Sequence, residues 1–196
     1  MTLPSGVTIA VRRSVDIRRL VYAVSPPHHA CAGRSPTFVN PRKFRKIPGM
    51  DDAPSELVEF LAPYPESVRE VMLEGRAALR SVIGAASELV YDATTAVCDG
   101  FSYTADVKGG FVNLAAYSDH ATLVFGYGAL LSDPEARLKG GGKQVRHMRL
   151  ASAADILDPY VVGLIHEAEA NAPKPSEPIE PRLVVKIYQG PKRRPQ

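Results

Sequence analysis

The sequence predicts an α+β domain, an antiparallel sheet of about five strands packed against helices. Three observations carry this prediction. Glu66–Ile83 repeats apolar residues every three or four positions. Four short runs rich in β-branched and aromatic residues follow, joined by links too brief for parallel crossovers. A second helical repeat, Ala153–Ala170, comes after them.

The elements take the following order. Pro54–Leu61 predicts a short helix capped by Asp52 or Ser55, with Glu56 and Glu59 near its positive end. Pro63 and Pro65 end it. In Glu66–Ile83, Val68, Val71, Met72, Gly75, Leu79, Val82 and Ile83 form the apolar face, and Gly75 implies close approach by a neighbour. Glu66, Glu70 and Glu74 mark the opposite face together with Arg69, Arg76 and Arg80, and Gly84 is placed to end the helix. The strands are expected at Glu88–Tyr91, Ala96–Tyr103, Phe111–Tyr117 and Ala121–Tyr127. Lys108-Gly109-Gly110 and Ser118-Asp119-His120 supply turns between them. Asp133-Pro134 suits the start of a short helix through Leu138, which Gly140-Gly141-Gly142 would end. Val145–Leu150 alternates as a strand, and Ser152 caps the last helix. Pro173–Pro181 reads as a linker, Arg182–Tyr188 as an extra strand, and Gly190–Gln196 as a basic frayed end.

Charge divides the chain. Residues 1–50 hold nine Lys/Arg and one acid, a net +8, whereas the remainder sets fifteen bases against twenty acids, a net −5. The overall +3 therefore belongs to the N-terminal segment, and nucleic-acid binding is not expected of the folded domain. Prolines at 4, 26, 27, 36, 41 and 48 interrupt periodicity in that segment, which is expected to be largely disordered. Three readings of it stay open: a targeting peptide, an arm that touches polyanions, or sequence upstream of a true start at Met50. The organisation is thus a basic extension over 1–50, a domain over 51–172, and a Pro-rich linker with strand and basic tail over 173–196. No apolar run is long enough to span a bilayer, and Cys31 and Cys98 lack metal-type spacing, which fits a cytoplasmic setting.

One set of motifs carries a resemblance. GALLSDPEARLKGGGKQVRHMRL, preceded by YDATTAV, FSYTADVKGGFVNLAAY and SDHATLVFGY, resembles domain of unknown function 1801, the YdhG-like family. The shared marks fall on Gly128, Asp133-Pro134, Gly140-Gly141-Gly142-Lys143 and Arg146-His147, and PESVREVMLEGRAAL resembles the family's first long helix. The resemblance covers residues about 55–172. It implies a compact α+β domain in bacterial cytoplasm. For function it implies a frataxin-like iron-chaperone role, proposed for the YdhG branch; a non-enzymatic binding protein is the expectation for this chain, since its residues offer no catalytic constellation. The resemblance transfers no ligand motif residue by residue.

The residues themselves offer two sites. Lys143, Arg146 and His147, with the backbone of the Gly140–Lys143 turn, make a candidate site for an anion or small molecule. That turn is not a nucleotide loop: Arg137 stands where the first glycine is required, and Gln144 replaces the hydroxyl residue. Glu66, Glu70 and Glu74 offer hard oxygen donors suited to weak, exchangeable iron. Asp119 with His120, and His166 with Glu169, are two-residue metal candidates. Cys98 has no base nearby in sequence, and Tyr91, Tyr103, Tyr117 and Tyr127 read as sheet-packing aromatics. No catalytic constellation emerges.

Overall fold

The computed structural model describes residues 53–196 and the backbone of residues 7–13. The rest of the basic extension, with Cys31 and the expected cap Asp52, lies outside the described residues. The chain divides into two units, Met1–Ser14 with Asp52–Gln196, and Val15–Asp51; only the first is described.

Its fold is α+β. The elements run β1 (Val7–Arg13), α1 (Ser55–Leu61), α2 (Glu66–Val82), β2 (Ser87–Asp92), β3 (Val97–Ser102), β4 (Gly110–Ala116), β5 (Ala121–Phe125), β6 (Arg146–Leu150), α3 (Pro159–Ala170) and β7 (Arg182–Tyr188). The strands form one sheet ordered β1-β7-β2-β3-β4-β5-β6. From β2 to β5 it is the antiparallel meander that the short links dictate, and β6 adds antiparallel to β5 after the long segment 126–145. At the other end β7 and β1 extend the sheet beyond the about five strands expected. There β7 lies parallel to β2, with Val90 opposite Val185, and β1 pairs antiparallel to β7. Parallel pairing is possible because α3 and the Pro-rich segment separate β7 from the meander in the chain.

The core lies between the helices and one sheet face. Leu57, Leu61, Val68, Met72 and Leu79 meet Val97, Phe101, Leu114, Leu123 and Phe125, and Val161, Leu164 and Ile165 join from α3. Gly75 permits the closest approach. A Cβ there would stand 3.1 Å from Ile156 Cδ1 and 3.3 Å from Leu114 Cδ1. Prolines set the helix starts: Pro54 and Pro65 occupy the capping positions of α1 and α2, neither with a side-chain cap. Ser55 instead donates to its neighbour Glu56.

Two further expectations change. The last helix is not continuous from Ala153. A 3₁₀ turn over Ala153–Leu157, held by a Ser152/Asp155 capping box, precedes α3, which starts at Pro159 with Asp158 accepting from Tyr160 N and Val161 N. Proline cannot supply an interior helical N–H, so it opens a new helix. The C-terminal tail is pinned rather than frayed. Arg194 and Lys192 both engage the buried carboxylate of Asp92, Lys192 Nζ also donates to Tyr188 O, and Arg193 N donates to Thr94 O at 2.7 Å. Among the described residues no helix is long and apolar enough to cross a membrane.

Candidate functional site

The crossover from β5 to β6 passes close over β4 and the start of β6. A Cβ on Gly126 would lie 2.0 Å from Gly110 O, and one on Gly128 would lie 2.5 Å from Arg146 Cβ. Only glycine fits such contacts. A 3₁₀ turn at Gly128–Leu130 follows.

Asp133 then organises the loop. Its carboxylate accepts from Arg137 N at 3.1 Å, Leu138 N at 2.9 Å and Tyr160 Oη at 2.6 Å. Burial pushes this carboxyl up, but the hydrogen bonds from Tyr160, Leu138 and Arg137 outweigh it and hold it below the usual range. Arg137 donates to Asp158 Oδ1 at 3.1 Å and lies 5.3 Å from the Tyr160 ring centroid. Ser132 donates through its backbone N and Oγ to Glu167 at 3.0 and 3.1 Å. The Asp133-Pro134 pair therefore anchors an irregular loop onto α3. The helix expected over 133–138 does not form, and Ala136 adopts φ 51°, a left-handed conformation that interrupts it.

The tip of the crossover carries the predicted residues. Lys139 and His147 exchange backbone hydrogen bonds of 2.7 and 2.9 Å. Gly140, at φ +121°, makes the turn that a residue with a side chain would strain to make. Arg146 and His147 leave alternate faces of β6, yet Arg146 Cδ and His147 Nδ1 stand 3.7 and 3.6 Å from the Cβ position of Gly140. Arg146 Nη1 donates to Gly142 O at 2.7 Å and Val145 O at 2.8 Å. Lys143 is exposed at the tip and does not join the other two. Around Gly141 and Gly142 the space is open. Residues 137–149 hold five Lys/Arg and no acid. Arg137 is committed to Asp158, and Arg149 lies 3.8 Å from Asp119. Among the described residues no carboxylate pairs with Lys143, Arg146 or His147.

The acidic stripe is differently arranged. Glu66, Glu70 and Glu74 are exposed along α2 as expected. Eight residues of helix separate the outer two by about 12 Å, so they present single donors in a row rather than one cage. Among the described residues no group of three or more His, Cys, Asp or Glu is placed to hold a metal ion. His166 turns to Val82 O, and Glu169 accepts from Gly84 N and Tyr103 Oη. His120 pairs with Asp119 at 2.7 Å and stacks on Tyr117. Burial pushes the Cys98 thiol up to about 12, against a hydrogen bond with Tyr91, so it is a poor nucleophile at neutral pH.

The densest charge cluster escaped the sequence reading. Arg76 was expected on the outer face of α2, but it is buried. It donates to Glu88 through Nε at 2.7 Å and Nη2 at 3.0 Å, and Arg80 adds a third bond at 2.8 Å. Asp99, on β3, is fully buried beside them, 3.8 Å from Arg76 Nε. A signal was present. Arg76 lies four residues after Met72 and three before Leu79, and Asp99 stands between Val97 and Phe101 in strand alternation. Compared with known proteins, the chain matches no family model, no curated protein and no solved structure.

Proposed function

We propose that this chain is a non-enzymatic, cytoplasmic binding protein of the YdhG-like type, and that it takes an anionic ligand or partner on the β5–β6 crossover. The observation that carries this reading is the acid-free basic run 137–149, in which Lys143, Arg146 and His147 pair with no carboxylate among the described residues. The Asp133 anchor and the Lys139–His147 bridge give these side chains a fixed backbone, which lowers the ordering cost of binding. Attraction at such an exposed site is Coulombic and screened by salt. The iron reading has less support, because the stripe on α2 spreads its carboxylates along the helix instead of gathering them.

Calorimetric titration with inorganic triphosphate at low and high salt tests the reading. The expected result is salt-sensitive binding that the Lys143→Ala/Arg146→Ala double variant weakens by tenfold or more. A wild-type protein that takes up no triphosphate, or a double variant that binds as well, would contradict it.

A further inference from the structure

Beneath α2, four ionisable side chains meet on the helix-facing side of β2 and β3. Glu88 receives three hydrogen bonds, two from Arg76 and one from Arg80. Asp99 stands on the adjacent strand, opposite Val90 and so on the same face as Glu88. It is fully buried, and neither carboxylate oxygen receives a hydrogen bond. Arg76 Nε, 3.8 Å away, is too far to donate to it and already serves Glu88. β4 sets Leu114 opposite Asp99, and Tyr91 and Cys98 leave β2 and β3 on the far face. Burial pushes both of those groups up, so they stay neutral. The Glu88 carboxylate shares the face of Asp99, and both lie against the same Arg76 Nε, at 2.7 and 3.8 Å. Two ionised carboxylates side by side out of water repel, and a proton between them turns repulsion into a hydrogen bond.

We infer that Asp99 and Glu88 share one proton in the folded protein, which makes the docking of α2 on the sheet a proton-binding element that weakens as pH rises. The electrostatics agree. Burial and then the Glu88 charge raise the Asp99 carboxyl well above its ordinary range, against the opposing pull of Arg76. A carboxyl raised on folding contributes stability that is complete below its unfolded value of about 4 and is lost as pH climbs through the folded value. Across that window one proton changes the unfolding equilibrium constant by about tenfold per pH unit. This element lies apart from the basic crossover and does not depend on what binds there.

Asp99→Asn is the test, because its amide supplies an N–H where the shared proton would sit. Urea unfolding of the full chain between pH 5 and 9 should show the wild type losing stability relative to the variant as pH rises. The variant should match or exceed the wild type at the alkaline end. A constant offset between the two curves at every pH would overturn the inference. Infrared spectroscopy gives a second reading that needs only the wild-type protein. A protonated-carboxyl C=O band should be present at neutral pH, and its absence would overturn the inference whether or not the variant folds.

Discussion

The β5–β6 crossover and the ground beneath α2 use the same residue types to opposite ends. On the crossover, Lys143 and His147 are exposed and Arg146 is half-buried against Gly142 O and Val145 O, and among the described residues none of the three pairs with a carboxylate. Beneath α2, Arg76 and Arg80 converge on one glutamate out of water. In water a cation keeps its hydration and is free to meet a ligand. In the interior it must be paired, and its partner becomes indispensable to the fold. Position in the fold, and not prominence in the sequence, decides which charge holds the structure: Arg137 in the basic run and Arg194 in the basic tail are both committed to aspartates.

The largest expected effect belongs to the buried side of this contrast. Glu88→Ala takes the hydrogen-bonded carboxylate from buried Arg76 and half-buried Arg80, at a cost of about 3 kcal/mol. Urea unfolding should show a strongly reduced midpoint or no folded baseline. A midpoint near that of the wild type would mean that the two arginines escape to water, and the contrast would collapse.

Next comes the C-terminal clasp. Asp92→Ala removes the buried partner of Lys192 and Arg194 and is expected to cost about 3 kcal/mol, the lower end for a broken buried pair. Removing residues 190–196 should cost a similar amount, because it leaves the same carboxylate unpaired. Limited proteolysis of Asp92→Ala should cut within the tail. A tail that stays protected would show that Asp92 is not what holds it.

Asp133→Asn sits between the two regions, since it touches the crossover but acts structurally. The amide keeps acceptor capacity on one oxygen only, so about 1–2 kcal/mol is expected. The sign of its pH dependence is opposite to that of Asp99. A carboxyl held low on folding contributes stability above its unfolded value, and that stability is lost as pH falls through the folded value. Wild type and variant should therefore converge in acid. A difference that persists unchanged at the lowest pH would show that the Asp133 charge is not the source of the anchoring.

Much of this was legible from residue order. The α+β class, the meander and the strand Arg182–Tyr188 follow from periodicity and short links. The parallel pairing of β7 does not, because alternation fixes which face a side chain takes and not the direction of the neighbouring strand. The break at Pro159 carried its own mark, an Asp-Pro start, but the apolar spacing on either side hid it. Asp133-Pro134 carried the same mark and forms no helix, because its carboxylate is shared with Tyr160 of α3, a contact made in three dimensions. The candidate site was legible as composition. Its geometry was not: Arg146 and His147 flank Gly140 while Lys143 stands apart, and turn conformation decides that.

The smallest structural effect goes with the most direct test. Lys143→Ala removes an exposed side chain and should change stability by no more than about 0.5 kcal/mol, whereas Arg146→Ala also removes two hydrogen bonds to the tip, a loss of about 1 kcal/mol. The decisive measurement is triphosphate affinity of the double variant beside its thermal midpoint. At least a tenfold loss of affinity is expected, with the midpoint lowered by no more than a few degrees. Undiminished affinity in a folded double variant would contradict the proposed site.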